Sequence, residues 1–242
     1  MTRLDGFKIV VTAAGRDFGR SLAIGLAERG AELFLSARDV AAAERTRAET
    51  GHPDRVHAFG CDLSRPDTIA GFAEAVAQRT DHVDVLINNG ARYLDGTELT
   101  SASDADIAET IASGATGTVL AAKHFLPLLR RSQRPDIVTM VSACADPGHD
   151  RSLAHPAFYA AKSAQAGFTE ILSRRLRPEG VRVMSLYPPD FDNPDRLSPE
   201  WDATPRTAAD PLTAQSLIDC VLFAIGQPRD CFLRSLHFEQ VQ

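Results

Sequence analysis

The run Thr12-Ala13-Ala14-Gly15-Arg16-Asp17-Phe18-Gly19-Arg20 carries the clearest local chemistry in the chain. An apolar, β-branched stretch over 7–12 leads into it. Phe18, Leu22 and Leu26, at four-residue steps with Ala23 and Ala27 alongside, lead out of it as far as Gly30, which predicts a helix that stops at a glycine. A turn between a buried strand and a helix start leaves backbone N–H groups unpaired at the positive end of the helix dipole, and such a turn binds phosphate. A glycine-containing turn alone is weak evidence. It gains weight because strand, turn, helix and a second strand fit in one unit of about 30 residues. Cys61, Cys144, Cys220 and Cys231 lack C-x-x-C spacing, so they are expected as free, packed thiols without a metal site.

The turn needs a scaffold, and the rest of the chain provides one. Short β-branched runs over 7–12, 32–37, 55–60, 83–88, 136–142, 181–187 and 231–238 alternate with helical patterns over 39–50, 65–79, 103–131, 157–177 and 211–226. This alternation predicts one α/β domain over 1–242, with a parallel sheet covered on both faces. The chain of 242 residues is 44% hydrophobic, enough for a core without disulfides, and no apolar run reaches the ~18 residues that span a bilayer. Its net charge of −6 argues against a nucleic-acid partner, which needs a basic face. An apolar strand pattern close to the N-terminus, with no signal-like segment before it, predicts a cytoplasmic protein. The stretch 187–211 holds six prolines; a connection this long is expected to be a lid or substrate loop, with a passive surface excursion as the alternative.

Taken together, the turn, Cys61-Asp62-Leu63 after the third strand, Asn88-Asn89-Gly90-Ala91 after the fourth, Ser142 at the end of the fifth, Lys162 on the next helix and Tyr187-Pro188-Pro189 after the sixth resemble the short-chain dehydrogenase/reductase family. The resemblance covers nearly the whole chain. It implies a single-domain doubly wound (Rossmann) fold with a seven-stranded parallel sheet, and a dinucleotide site formed by Thr12, Gly15, Arg16, Phe18, Gly19, Arg38, Asp62, Leu63, Asn88, Gly90, Lys162 and Pro188. Ala37 stands where the acidic residue for the ribose hydroxyl is expected, beside Arg38. Together with Arg16, that arrangement suits a 2′-phosphate and favours NADP(H). Arg38 as a solvated helix-start residue and Asn88 as a plain turn residue remain open readings.

At the reacting centre the resemblance implies a Ser that orients a carbonyl, a Tyr acid/base, a Lys four residues later and an Asn that anchors a relay water. Ser142 and Lys162 match. The tyrosine position is Phe158, with Tyr159 one residue on, and the asparagine position is Gly114. In the turn, Ala13 and Asp17 occupy two glycine positions. Alanine there is tolerable only at negative φ, and Asp17 is either a carboxylate that repels a pyrophosphate or the cap of the helix that begins there. Tyr159 is either a substitute acid or a packed ring, because three- and four-residue spacings differ by about 100° around a helix. His149, His155, Tyr93 and Tyr187 complete the groups expected near the mouth. The expected function is an NADP(H)-dependent oxidoreductase acting on a small carbonyl or alcohol, with Ser142, Tyr159 and Lys162 catalytic. The alternatives are an inactive subunit that stabilises an active homologue, or a non-redox enzyme reusing the pocket. Homo- or hetero-oligomers are expected to form through the helices at 103–131 and 157–177.

Overall fold

The computed structural model of the chain describes residues 3–240. The elements follow in chain order as β1 Lys8–Val11, α1 Asp17–Glu28, β2 Glu32–Ala37, α2 Val40–Glu49, β3 Val56–Gly60, α3 Pro66–Ala77 and β4 Val85–Asn88. Then come α4 Asp104–Ile111, α5 Gly117–Leu129, β5 Asp136–Met140, α6 Pro156–Leu176, β6 Arg182–Tyr187, α7 Pro199–Ala203, α8 Ala214–Ile225 and β7 Ser235–His237. All seven strands are parallel, in the order β3-β2-β1-β4-β5-β6-β7. The strand order reverses beside β1, which places the ligand crevice at the carboxyl ends of β1 and β4. Among the described residues, no helix is long and apolar enough to cross a membrane.

The strands are continuous apolar runs because both of their faces are covered. Ile9, Val11, Leu33, Leu35, Val85 and Ile87 pack with α1 and α8 on one side. On the other, Val10, Phe34, Leu86, Ile137 and Val183 pack with α3 and α5. Helix α1 ends as its spacing predicts: Gly30 takes φ +98° and donates to Ala27, and Ala31 donates to Leu26, a pattern that satisfies the last carbonyls.

Three elements depart from the sequence-based expectation. The pattern over 103–131 is interrupted by a π-helical turn at Ala112–Thr116, where Gly114 lets the backbone bulge and a Cβ would meet the Ala161 methyl at 3.0 Å. The last strand is three residues instead of eight. Arg182 gathers the carbonyls of Gln227, Pro228 and Cys231, which turns the segment that would have extended it. The 187–211 stretch also contains α7, whose Trp201 is buried. Arg196 stacks on that indole at 4.7 Å and pairs with Glu28 of α1, so the base of the loop is fastened to the core.

Arg182 also forms two hydrogen bonds, at 2.9 and 2.6 Å, with Asp136 at the start of β5, and both residues are buried. Removing one partner from such a pair strands a desolvated charge. Arg182→Met is expected to cost about 3 kcal/mol or more in urea unfolding, because Asp136 keeps only Arg229 and the carbonyls of Ile225, Gln227, Pro228 and Cys231 lose this donor. A loss under ~1 kcal/mol would refute this role.

Candidate functional site

The carboxyl edge of the sheet is polar where its core is apolar. Thr12 follows β1 and Asn88 ends β4, with Asn88 facing Thr139 and Thr139 facing Ser185 in register. Thr12 is buried and works structurally. Its hydroxyl donates to the Ile87 carbonyl and accepts from the Asn89 and Gly90 N–H groups, fastening the β4 loop to the turn. Asn88 is also buried, and neither end of its amide has a partner.

The turn keeps a glycine-type backbone without the glycines. Ala13 has φ +54° and Asp17 φ +48°, so alanine does not hold the negative φ that would spare it strain. Asp17 is not the helix cap. Arg16 occupies that position with extended backbone and no side-chain capping bond, while Asp17 is the first helical residue. Its carboxylate lies outward at 3.3 Å from the Arg16 guanidinium, with both groups largely exposed. That pairing offsets part of the negative charge that Asp17 places in the first helical turn. Gly19 is obligatory, since a Cβ would lie 2.2 Å from the Ala13 carbonyl oxygen. Gly15 instead lets Ala37 and Ala42 approach, because a Cβ at this position would lie only 2.8 Å from each methyl, and Phe18 packs edge-on against Phe191.

At the carboxyl ends of β2 and β3, Asp62 accepts from the Ser64 N–H and hydroxyl through a single oxygen, leaving the other free of these bonds. Burial pushes this carboxyl up, but the Ser64 bonds and the Arg38 and Arg65 charges outweigh it, and the group sits below its ordinary value. Leu63 fills the space beside Gly90 and Gly117. Arg38 is exposed and donates to Glu109 of α4 at 2.9 Å. Pro188 accepts from the Ala143 N–H at 2.8 Å, tying the end of β6 to the residue after Ser142.

The centre expected to react is arranged differently from the family pattern. Ser142 has φ +141°, a region nearly reserved for glycine, and its Oγ accepts from the Cys144 N–H at 3.2 Å. Lys162 is buried, and its amine donates to the Met140 carbonyl at 2.9 Å and to Gln165 Oε1 at 3.1 Å, with the Phe158 ring 5.3 Å away. Burial lowers its pKa to about 7, with the neighbouring Cys144 acting in the opposite direction. Gln165 in turn donates to the Gly114 carbonyl at 2.9 Å and to Thr118 at 2.8 Å. A side-chain amide thus joins Lys162 to the π turn. Sequence reasoning missed Gln165, although its three-residue spacing from Lys162 places both on one helix face.

Tyr159 is half-buried, and its hydroxyl donates to the Ser152 carbonyl at 3.3 Å. Burial and the adjacent Cys144 raise its pKa. Phe158 packs edge-on against Tyr93. His155 is the structural cap of α6: Nδ1 accepts from Ala157 and Nε2 donates to the Leu99 carbonyl. Tyr187 stacks on His237 at 4.1 Å, and His237 pairs with Asp146.

The doubly wound sheet, the turn leading into a helix N-terminus after β1 and the polar strand ends are those of a dinucleotide-binding class of fold. Residues 8–202 match the model of the short chain dehydrogenase family, and the chain belongs to that family. It is 29% identical over 188 residues to a D-threitol dehydrogenase of Mycolicibacterium smegmatis, covering 77% of this chain and 70% of that protein. It is 25% identical over 239 residues to an NADP-dependent 3-hydroxy acid dehydrogenase of Schizosaccharomyces pombe, covering 93% and 89%. Among solved structures, a metagenomic short-chain oxidoreductase in complex with NADP superposes with TM-score 0.79 at 25% identity, covering 97% of this chain and 96% of that one.

The Lys162 amine has a signature in stability. It titrates near 10.5 in ordinary surroundings and near 7 in the fold, so between those values the unfolded chain holds the extra proton and stability rises with pH. Below about pH 7 the full cost of enclosing the charge remains. Lys162→Met removes this dependence, and its stability relative to the parent is expected to fall between pH 6 and pH 10. A difference in urea unfolding that does not change with pH refutes the assignment.

Proposed function

We propose that the protein is an NADP(H)-dependent oxidoreductase acting on a small carbonyl or alcohol. The observation that carries the cofactor reading is the end of β2. Arg38 stands there exposed while Ala37 offers no carboxylate to a ribose, which favours a 2′-phosphate over a free hydroxyl. The residues fit a dinucleotide: the turn is left-handed where glycines would make it so, Gly19 permits its tight closure, and the Asp17 carboxylate is paired with the Arg16 guanidinium. Thr12, Gly15, Phe18 and Gly19 shape that turn, and Arg16 adds positive charge. Asp62, Leu63, Asn88, Gly90 and Pro188 line the remaining strand ends. The D-threitol and 3-hydroxy acid names of two relatives support a small hydroxylated substrate.

When bound, a nicotinamide supplies or accepts the hydride. The chain's own part is to orient the carbonyl and move a proton. Ser142 orients the oxygen through its hydroxyl. Tyr159 is the proton donor, once its hydroxyl gives up the Ser152 carbonyl. Lys162, whose amine burial brings near neutrality, supplies positive charge on that side of the site below about pH 7, and the 187–211 loop covers the substrate. The reading of an inactive partner subunit has its own support: Phe158 stands beside the lysine where the acid is expected, and Gln165 occupies the amine.

Titration of the protein with NADPH and NADH, followed by fluorescence, separates these readings. NADPH is expected to bind at least tenfold more tightly, and absence of binding at millimolar concentration refutes the oxidoreductase reading. On a substrate that is turned over, Tyr159→Phe is expected to lower kcat by roughly 100-fold or more. Unchanged turnover removes Tyr159 from the mechanism.

The same proposal includes an oligomer built on α5 and α6. Val119, Ala164, Gly167 and Ile171 are exposed along these helices, and exposed apolar residues on one face favour a second copy. Ile171→Asp is expected to lower the mass measured by sedimentation. An unchanged mass overturns this interface.

A further inference from the structure

The Arg38 guanidinium is already engaged. It donates to Glu109, whose other carboxylate oxygen takes Arg92, and Arg92 also holds Asp106. This network joins three elements around the adenosine end: the residue after β2, the α4 helix and the loop after β4. Arg92 is fixed there by its backbone, whose N–H donates to Ser113 at 3.1 Å. Asp62, after β3, feels the Arg38 charge, so the chain of charges runs across the carboxyl ends of β2, β3 and β4.

Resting on the NADP(H) reading above, we infer that Glu109 is a built-in competitor for the 2′-phosphate, and that Arg92 sets how strongly it competes. A 2′-phosphate carries roughly −1.5 to −2 charge at neutral pH. To reach Arg38 it must displace one carboxylate and lie near it afterwards. The displaced Glu109 is not stranded, because Arg92 stays on its other oxygen and screens it from the incoming phosphate. The Arg38–Glu109 pair is partly exposed, with side-chain exposures of 60% and 32%, so it is weak enough to be exchanged. NADH, with no phosphate at this position, leaves the pair closed. Selectivity between the two dinucleotides therefore depends on residues of α4 and the β4 loop as well as on the end of β2.

The two partners predict opposite effects. Glu109→Gln removes the competitor and is expected to tighten NADPH and adenosine 2′,5′-bisphosphate by roughly three- to tenfold in calorimetric titrations. NADH is expected to change by less than about twofold. Arg92→Gln leaves Glu109 and Asp106 unscreened and is expected to weaken NADPH, again with little effect on NADH. Both effects shrink as salt is raised, because the groups are partly exposed. If NADPH binds the parent protein and Glu109→Gln with equal affinity, or if Glu109→Gln tightens NADH as much as NADPH, the competitor role is wrong while the cofactor reading stands. If NADPH tightens in Glu109→Gln but Arg92→Gln does not weaken it, the part assigned to Arg92 is wrong. If none of the three proteins binds NADPH, the cofactor reading fails and this inference fails with it.

Discussion

Enclosing the Lys162 amine without a carboxylate partner is the demand around which the α6 side of the molecule is arranged. Burial of an ammonium is expensive unless its donors find acceptors. The acceptors here are neutral: the carbonyl of Met140 at the end of β5 and the amide oxygen of Gln165. The amide nitrogen must then be satisfied in turn, and it is, by the Gly114 carbonyl and Thr118. The π turn between α4 and α5 exposes that carbonyl to α6. The lysine, the glutamine and the π turn therefore form one unit, and a change in any of them alters the partners of the others.

This unit also explains how much could be read from the chain alone. The seven strands, their parallel order and the stripe of α1 were legible, because a doubly covered sheet requires continuous apolar runs and a helix end requires Gly30. The shortening of β7 was not legible. It depends on Arg182, some 50 positions earlier, drawing carbonyls out of the extended conformation. Gln165 was hidden for a similar reason: a glutamine on a helix reads as solvated until a bulge 51 residues away offers it a carbonyl. Likewise Arg38 could be singled out at the end of β2, while its neighbours Glu109 and Arg92 could not, since only the fold brings α4 over the end of β2.

The turn after β1 shows the fold overriding residue preference. Left-handed backbone costs a non-glycine residue roughly 1–2 kcal/mol, yet Ala13 and Asp17 both adopt it. The surroundings leave no other path. The Ala13 carbonyl accepts from the Asn89 amide and sits against Gly19, and the next residue, Ala14, donates to the Ser36 carbonyl. A turn clamped from β2, β4 and α1 keeps its shape when its glycines are replaced. Loss of glycine at these positions is thus a cost to stability and does not by itself abolish the phosphate-binding conformation.

The reacting centre has no comparable clamp. Ser142 is held in a glycine-like conformation between β5 and the Pro188 carbonyl, which accepts from the next residue, so its position is set by the sheet. The Tyr159 ring packs against Cys144, Ala154 and Phe158, and its hydroxyl makes one contact of 3.3 Å to the segment preceding α6. Turning that hydroxyl towards a ligand costs the Ser152 contact, about 1 kcal/mol, together with part of the packing of the ring. The turn and the strand ends are thus preorganised by the fold, whereas the Tyr159 phenol is tied through ring packing and a single hydroxyl contact.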